Sequence, residues 1–327
     1  MANKGSADLQ IQFEEILCPC CGTRPFRSVY TVQDRLHPET ARTKNKPQGA
    51  AFRIVACSSC GFLYLNPRPI SEHLQAFYRS EKYDPHIRRG GGWFGFLYRR
   101  IRPLSIHYKA ALVWKKKEPG TLLDIGCGTG EFLQYMKRRG WRVLGVESDA
   151  EAAEQARATG CDVLTGDPAT VPYPELKFDL VTFWHALEHL PDLKGTLDAV
   201  AKRIAEGGVI AVALPNPYSF DAKFYRSLWA AWDAPRHLYH FRRRDLEILL
   251  RAYNIRWSAT RSLPLDPWYN TLLSELSWSS GVRVLPKIVR GLGVGLISFI
   301  RGWKPGEGSS NLFLFVKETQ DETSHNS

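Results

Sequence analysis

Three sets of residues have the types and spacing that chemistry needs. The first is Asp124-Ile-Gly126-Cys127-Gly128-Thr-Gly130, with glycines at alternate positions directly after an apolar run. Such a stretch lets the chain turn sharply and leaves no β-carbon between main chain and ligand, which suits a large, flat cofactor held at a helix start. A second apolar run, 141–146, ends in Glu147, the place where a carboxylate can hold two ribose hydroxyls. Glycine spacing alone also fits a dinucleotide site or a plain strand-to-helix turn. Here the last two glycines are one residue apart, where the dinucleotide pattern has two.

The second set is a pair of C-x-x-C-G elements, Cys18-Pro-Cys20-Cys21-Gly22 and Cys57-Ser-Ser-Cys60-Gly61. Each can turn two thiolates inward at a hairpin tip, so Cys18, Cys21, Cys57 and Cys60 together supply a tetrahedral Zn2+ site, with Cys20 a spare thiol. Four protein ligands leave no position for water or substrate, which makes the expected zinc structural. The third set is Trp184-His185-Ala-Leu-Glu188-His189-Leu-Pro191-Asp192, two histidines and a glutamate just after an apolar run at 178–183. It reads either as a packed turn or as an acid–base group, since imidazole titrates near ~6.5.

The first set resembles the first motif of the class I S-adenosylmethionine-dependent methyltransferases, which reads much like DIGCGTG and is followed by a second strand ending in an acid. The resemblance implies that Asp124, Gly126, Gly128 and Gly130 surround the amino-acid part of S-adenosylmethionine and that Glu147 holds its ribose, with Cys127 and Ser148 also in contact with the cofactor. It further implies Asp167 beside the adenine, Trp184 in contact with the cofactor, and an acceptor facing His189, His185 and Glu188, with His189 the first choice of general base and His185 the second. The run Cys60-Gly-Phe-Leu-Tyr-Leu-Asn-Pro-Arg-Pro69 and the segment WAAWDAPRHLYHF over 229–241 are similar to bacterial members found with polysaccharide and sugar-modifying genes. By that likeness Arg236, His237 and Tyr239 face a sugar substrate bearing phosphate, the arginine gripping it at two points. Pro215-Asn-Pro-Tyr218 lacks the adjacent prolines of the enzymes that methylate base amines and is read as a loop closing on substrate.

The elements that must position these residues alternate regularly. A helix to residue 139, strand 141–146, helix 149–159, strands 162–165 and 178–183, helix 192–205 and strand 208–213 follow the glycine turn. Helix 242–253, strand 254–260 and a last strand 311–316 complete the series. Apolar strands separated by helices predict an α/β fold, a doubly wound and mostly parallel sheet; the resembled Rossmann-like fold has seven strands, the last antiparallel. Expected domains are a zinc-ribbon lobe over 1–84, a basic aromatic linker over 85–118, the methyltransferase domain over 119–320 with a helical insertion at 262–310, and a disordered tail at 321–327.

Composition narrows the partners. The 327 residues carry 44 Lys and Arg against 33 Asp and Glu, a net charge of +11, which favours an anionic partner. Pro85 to Lys117 contains no acid but nine Lys and Arg interleaved with aromatics, either a linker with a solvated basic face or a phosphate- or membrane-binding stretch. The stretch 284–303 is apolar but broken by Lys287, Arg290 and Arg301, so its uncharged core is too short to span a bilayer and it suits a lid or a helix lying on a membrane surface. A polar N-terminus and clustered cysteines predict a cytoplasmic protein. The expected activity is O- or C-methylation of a nucleotide- or lipid-linked sugar. The alternatives are an RNA methyltransferase gripping RNA with the ribbon and a non-catalytic cofactor-binding scaffold.

Overall fold

A computed structural model describes residues 11–35, 51–78, 104–113, 119–277 and 283–319. Most of the basic aromatic stretch expected at 85–118 and the tail expected at 321–327 lie outside the described residues.

Thirteen strands are described: β1 (Phe13–Glu14), β2 (Phe26–Gln33), β3 (Ala51–Cys57), β4 (Leu63–Leu65), β5 (Arg68–Pro69), β6 (Thr121–Ile125), β7 (Arg142–Glu147), β8 (Asp162–Thr165), β9 (Phe178–Trp184), β10 (Ile204–Pro215), β11 (Tyr239–His240), β12 (Ile255–Ser262) and β13 (Ser310–Lys317). Seven form one sheet in the order β12-β13-β10-β9-β6-β7-β8, parallel except for β13, which runs against both neighbours. Its inner strands are buried nearly end to end, as parallel strands covered by helices on both faces must be. This is the Rossmann-like methyltransferase architecture expected from the sequence.

Register fixes where ligands can reach the sheet. Ile125 pairs with Val146 on one side and Phe183 on the other, so β6, β7 and β9 end together. The chain leaves β6 toward β7 and β8, then returns to β9 on the opposite side, which puts the reversal of strand order between β6 and β9. A crevice beyond the carboxyl ends at that point is the binding place of open α/β sheets. Some ends differ from expectation. The helix expected over 192–205 stops at Ala201 because Ile204 is already paired with Phe178, and β10 begins there, four residues early, with an irregularity before Val209.

The N-terminal lobe is a four-stranded sheet, β11-β4-β3-β2. Its edge strand β11 comes from within the methyltransferase segment, with Tyr239 opposite Tyr64. Arg242 donates to the Cys60 carbonyl at 3.0 Å and pairs with Asp245 at the start of the helix Arg243–Arg251. One continuous apolar core therefore runs from Phe52, Ile54 and Phe62 of the lobe to Phe183 and Val212 of the large sheet.

The insertion before β13 folds as two helices, Asp266–Ser277 and Val284–Arg301. Polar ties fasten it: buried Asp221 accepts from Trp229, Ser298 and Ser309, while buried Glu275 accepts from Nε and one terminal nitrogen of Arg290, each at 2.6 Å. Asn216, expected in a substrate-closing loop, instead donates to the carbonyls of Gly306 and Gly308 and clasps the end of β10 to the approach to β13. The outward face of the second helix is apolar, with Leu285 71% and Val289 62% exposed and Trp303 beyond its end 74% exposed. No helix among the described residues is long and apolar enough to cross a membrane.

Candidate active site and its two metal-donor clusters

The turn after β6 is held by main-chain bonds, Gly126 N–H and Cys127 N–H both donating to the Val146 carbonyl. Gly126, Gly128 and Gly130 all have φ between 55° and 77°, the left-handed region. The three glycines serve different ends. A β-carbon on Gly126 would lie 2.7 Å from that of Ala186, and one on Gly130 2.8 Å from that of Ala156, so these two let neighbouring segments close in. A β-carbon on Gly128 would meet nothing within 4 Å; open space lies over that residue.

Glu147 turns toward this space. Its Oε2 accepts from Gly128 N–H at 2.8 Å and its Oε1 from Asp149 N–H at 2.9 Å, leaving further lone pairs for a ligand's hydroxyls. Ser148 is exposed beside it, its hydroxyl 3.4 Å from Oε1. Asp124 lies beneath the loop, buried, accepting from the Thr182 hydroxyl at 2.6 Å. Burial pushes its carboxyl up to about 7, against the pull of the Thr182 bond and of Lys109. Burial likewise pushes the Cys127 thiol far up, so this cysteine is a neutral wall residue. Asp167 uses one oxygen to accept from Ala169 N–H at 2.8 Å in its own turn. Trp184 packs edge-on against Phe132, with the Lys109 ammonium 4.9 Å from its ring centre. A glycine cradle, an open space and a facing carboxylate fit S-adenosylmethionine, with Gly128 and Glu147 the residues that would hold it.

Beyond β9 the two histidines differ. His185 has φ 54°, a strained value for a non-glycine residue, and its Nε2 is 3.2 Å from Asp266 of the insertion helix while Nδ1 is 3.7 Å from Glu188. Burial would lower its pKa, but the two carboxylates outweigh it and raise it to about 9. Flanked by two carboxylates, His185 favours the imidazolium form, which suits a positioning ion pair better than the expected role of second-choice base. His189 is pushed down to about 4 by burial and by His237, so it is neutral but a weak base. Its Nδ1 lies 2.9 Å from the Tyr78 hydroxyl and 3.1 Å from the Arg236 carbonyl. Asp266 and Tyr78 were not foreseen; each comes from a segment remote in sequence and carries no local motif.

The expected phosphate grip is also corrected. Arg236 is fully buried and its guanidinium is occupied by Asp34 at 3.0 Å, Asp233 at 2.7 and 3.0 Å and the Phe77 carbonyl at 3.2 Å. Four of the five N–H donors of that ion are taken up inside the core, which leaves no two-point fork for a substrate anion, and the charge is a tie between lobe and domain. Tyr239 is buried too, its hydroxyl 2.7 Å from Arg68 and donating to the Pro191 carbonyl at 3.1 Å. His237 donates from Nδ1 to the Ala231 carbonyl at 2.8 Å, and its ring centre is 4.6 Å from that of His189.

The four expected cysteines converge. Cys18 and Cys60 sulfurs are 3.6 Å apart and those of Cys21 and Cys57 3.5 Å, with all four within 4.8 Å of one another. A tetrahedral ion with Zn–S bonds of about 2.3 Å would separate its sulfurs by about 3.8 Å, close to these spacings. The two knuckles are copies of one turn: Gly22 N–H bonds back to the Cys18 carbonyl, Gly61 N–H to that of Cys57, and both glycines have positive φ. Cys20 points elsewhere, toward the Asp245 carbonyl at 3.9 Å.

Comparison with known proteins agrees with this geometry. Residues 96–257 match a protein family described as a methyltransferase domain. A ubiquinone biosynthesis O-methyltransferase of Aeromonas salmonicida is 32% identical over 103 residues, 29% of this chain and 43% of that protein. A probable chloroplastic tocopherol O-methyltransferase of Oryza sativa subsp. japonica is 29% identical over 106 residues, 30% of this chain and 29% of that protein. A ubiquinone biosynthesis O-methyltransferase of Xanthomonas oryzae pv. oryzae is 26% identical over 182 residues, 52% of this chain and 75% of that protein. The chain thus spans less than half the length of the first two relatives. Among solved structures, a possible histamine N-methyltransferase of Thermotoga maritima aligns with a TM-score of 0.47 at 20% identity over 69% of this chain and 97% of that one. Residues 96–257, carried on this Rossmann-like sheet, thus form an S-adenosylmethionine-dependent methyltransferase domain.

Proposed function

We propose that the chain methylates a hydroxyl oxygen of an amphiphilic acceptor, with a lipid-linked sugar the class to test first and a nucleotide-linked sugar the next. The observation that carries the reading is the cradle at Gly128 faced by Glu147, at the reversal of strand order. The names of the relatives from Aeromonas and Oryza favour oxygen as the acceptor atom. The apolar face of the helix Val284–Arg301 favours an acceptor met at a lipid surface, because Asp266, which holds His185, opens the helix packed beside it.

When bound, S-adenosylmethionine supplies a methyl carbon already activated by a sulfonium, so the protein's part is positioning and handling of the acceptor proton. Gly128 and Glu147 orient the donor from the β6 and β7 side. His185, held as a cation between Asp266 and Glu188, fixes the chain that leaves β9 and presents Glu188 and His189 to the acceptor side. The four cysteines hold a structural zinc that fixes the lobe against β11 and the segment bearing His237.

The test is transfer of a labelled methyl group to lipid-linked and nucleotide-linked sugar extracts, offered free and in anionic vesicles. Transfer to a lipid-linked hydroxyl, reduced by Leu285→Glu with Trp303→Glu only when the acceptor is in vesicles, is the expected result. Equal transfer from vesicles by wild type and double variant overturns the membrane part. Absence of transfer to any hydroxyl, with donor binding intact, overturns the acceptor assignment.

A further inference from the structure

We infer that Glu188, His189 and His237 form a second metal site, separate from the cysteines, that binds one divalent first-row transition ion on the acceptor side of the cofactor crevice. One donor atom from each lies within 4.8 Å of the others. Glu188 is 2% exposed, and neither carboxylate oxygen has a hydrogen-bond partner among the described residues, the nearest cation being His185 Nδ1 at 3.7 Å. An ionised group so placed is costly unless something binds it directly, and buried carboxylates without hydrogen bonds mark an absent partner.

The two imidazoles are prepared as ligands. A carbonyl can only accept, so the bond from Nδ1 of His237 to the Ala231 carbonyl places its proton on Nδ1; Nδ1 of His189 has the Arg236 carbonyl at 3.1 Å and the Tyr78 hydroxyl at 2.9 Å, and takes the same form when it donates to the carbonyl and the hydroxyl donates elsewhere. The lone pair is then on Nε2 of each ring, the tautomer and outer-shell bond typical of metal-bound histidine. The Leu238 N–H donates to the Glu188 carbonyl at 2.8 Å and registers His237 beside the Glu188–His189 turn. The satisfied Arg236–Asp233–Asp34 network behind them holds the His189 carbonyl partner still.

Two nitrogens and one carboxylate leave coordination positions open, unlike the four-sulfur cluster, and suit manganese, iron, cobalt or zinc better than magnesium. Partial exposure of His189 gives a route in from solvent. The site stands two residues beyond Ala186, which touches the glycine loop at Gly126. Its role, which rests on the methyl-transfer reading, is to bind the acceptor hydroxyl as a Lewis acid. The hydroxyl proton leaves to solvent, the oxygen pair forms the O–C bond, and the C–S bond breaks with its pair staying on sulfur. His189 then serves as a ligand and not as the general base.

The test is Mn2+ titration of the full chain, freed of adventitious metal, followed by electron paramagnetic resonance, with S-adenosylhomocysteine binding measured calorimetrically on the same samples. Manganese disfavours thiolates, so the cysteine cluster stays silent. The expected result is one bound Mn2+ per chain, lost by roughly tenfold or more in affinity in Glu188→Gln and in His237→Asn while S-adenosylhomocysteine still binds. No Mn2+ binding by wild type, or wild-type affinity in Glu188→Gln, overturns the site. Because the wild-type titration decides by itself, misfolding of a variant does not blunt the test, and lost S-adenosylhomocysteine binding would count against the cofactor reading alone.

Discussion

Two buried polar clusters meet where Nδ1 of His189 lies 3.1 Å from the Arg236 carbonyl, and their contrast is instructive. Around Arg236 every charge meets a partner at hydrogen-bond distance: one guanidinium, two aspartates and a backbone carbonyl, with Arg35 adding a second cation 3.2 Å from Asp233. Around Glu188 the carboxylate has no hydrogen bond among the described residues, only the His185 ring at 3.7 Å, and the histidines beside it spend only one nitrogen each on the backbone. A closed network is a structural tie, and a network left open toward a crevice is a place for a ligand.

The largest expected effect breaks the closed cluster. Arg236→Met leaves Asp34 and Asp233 buried without their main counter-charge and should cost about 3–5 kcal/mol, read as a lowered denaturant midpoint. A loss under about 1 kcal/mol would show that the tie is dispensable. Next is the buried carboxyl under the glycine loop. Asp124 has its pKa raised to about 7 by burial, so its contribution is fully present below the unfolded value near 4 and is lost as pH rises through about 7. Wild type should lose up to a few kcal/mol relative to Asp124→Asn between pH 4 and pH 8, a slope approaching about 1.4 kcal/mol per pH unit, in melts followed by circular dichroism. Parallel profiles would place an ordinary carboxylate there.

A smaller effect is expected at Gly128. A β-carbon there meets no protein atom, but φ 55° strains any other residue and the methyl enters the cofactor space. Gly128→Ala should cost about 1 kcal/mol of stability and weaken S-adenosylhomocysteine binding by about tenfold or more. The smallest effect belongs to the open cluster. In metal-free protein Glu188→Gln removes a charge that no hydrogen bond among the described residues satisfies and leaves His185 its nearer carboxylate, Asp266 at 3.2 Å, so stability should move by less than about 1 kcal/mol, in contrast to Arg236→Met. A loss as large as that of Arg236→Met would erase the distinction between the clusters.

The sequence made the sheet, the glycine turn and the cysteine pairs legible because each is written in local spacing: alternate glycines, C-x-x-C, apolar runs bounded by helices. Strand and helix ends drifted where pairing overrode local pattern, as when Ile204 was drawn into β10 by Phe178. Arg236 looked like an anion grip from its type and aromatic neighbours, and its occupation by Asp34 across the lobe boundary has no sequence signal. The same holds for Asp266 against His185 and for His237 against Glu188. Contacts between distant segments are set by how the lobe and the insertion dock on the large sheet, which spacing does not encode.

The central claim is that the space over Gly128, faced by Glu147, is where S-adenosylmethionine binds. Calorimetric titration of wild type and Glu147→Ala with S-adenosylhomocysteine tests it most directly. Saturable one-to-one binding by wild type, weakened by about tenfold or more in the variant while its melting profile stays unchanged, is the predicted result. Absence of binding by folded wild type, or equal affinity in Glu147→Ala, would contradict it.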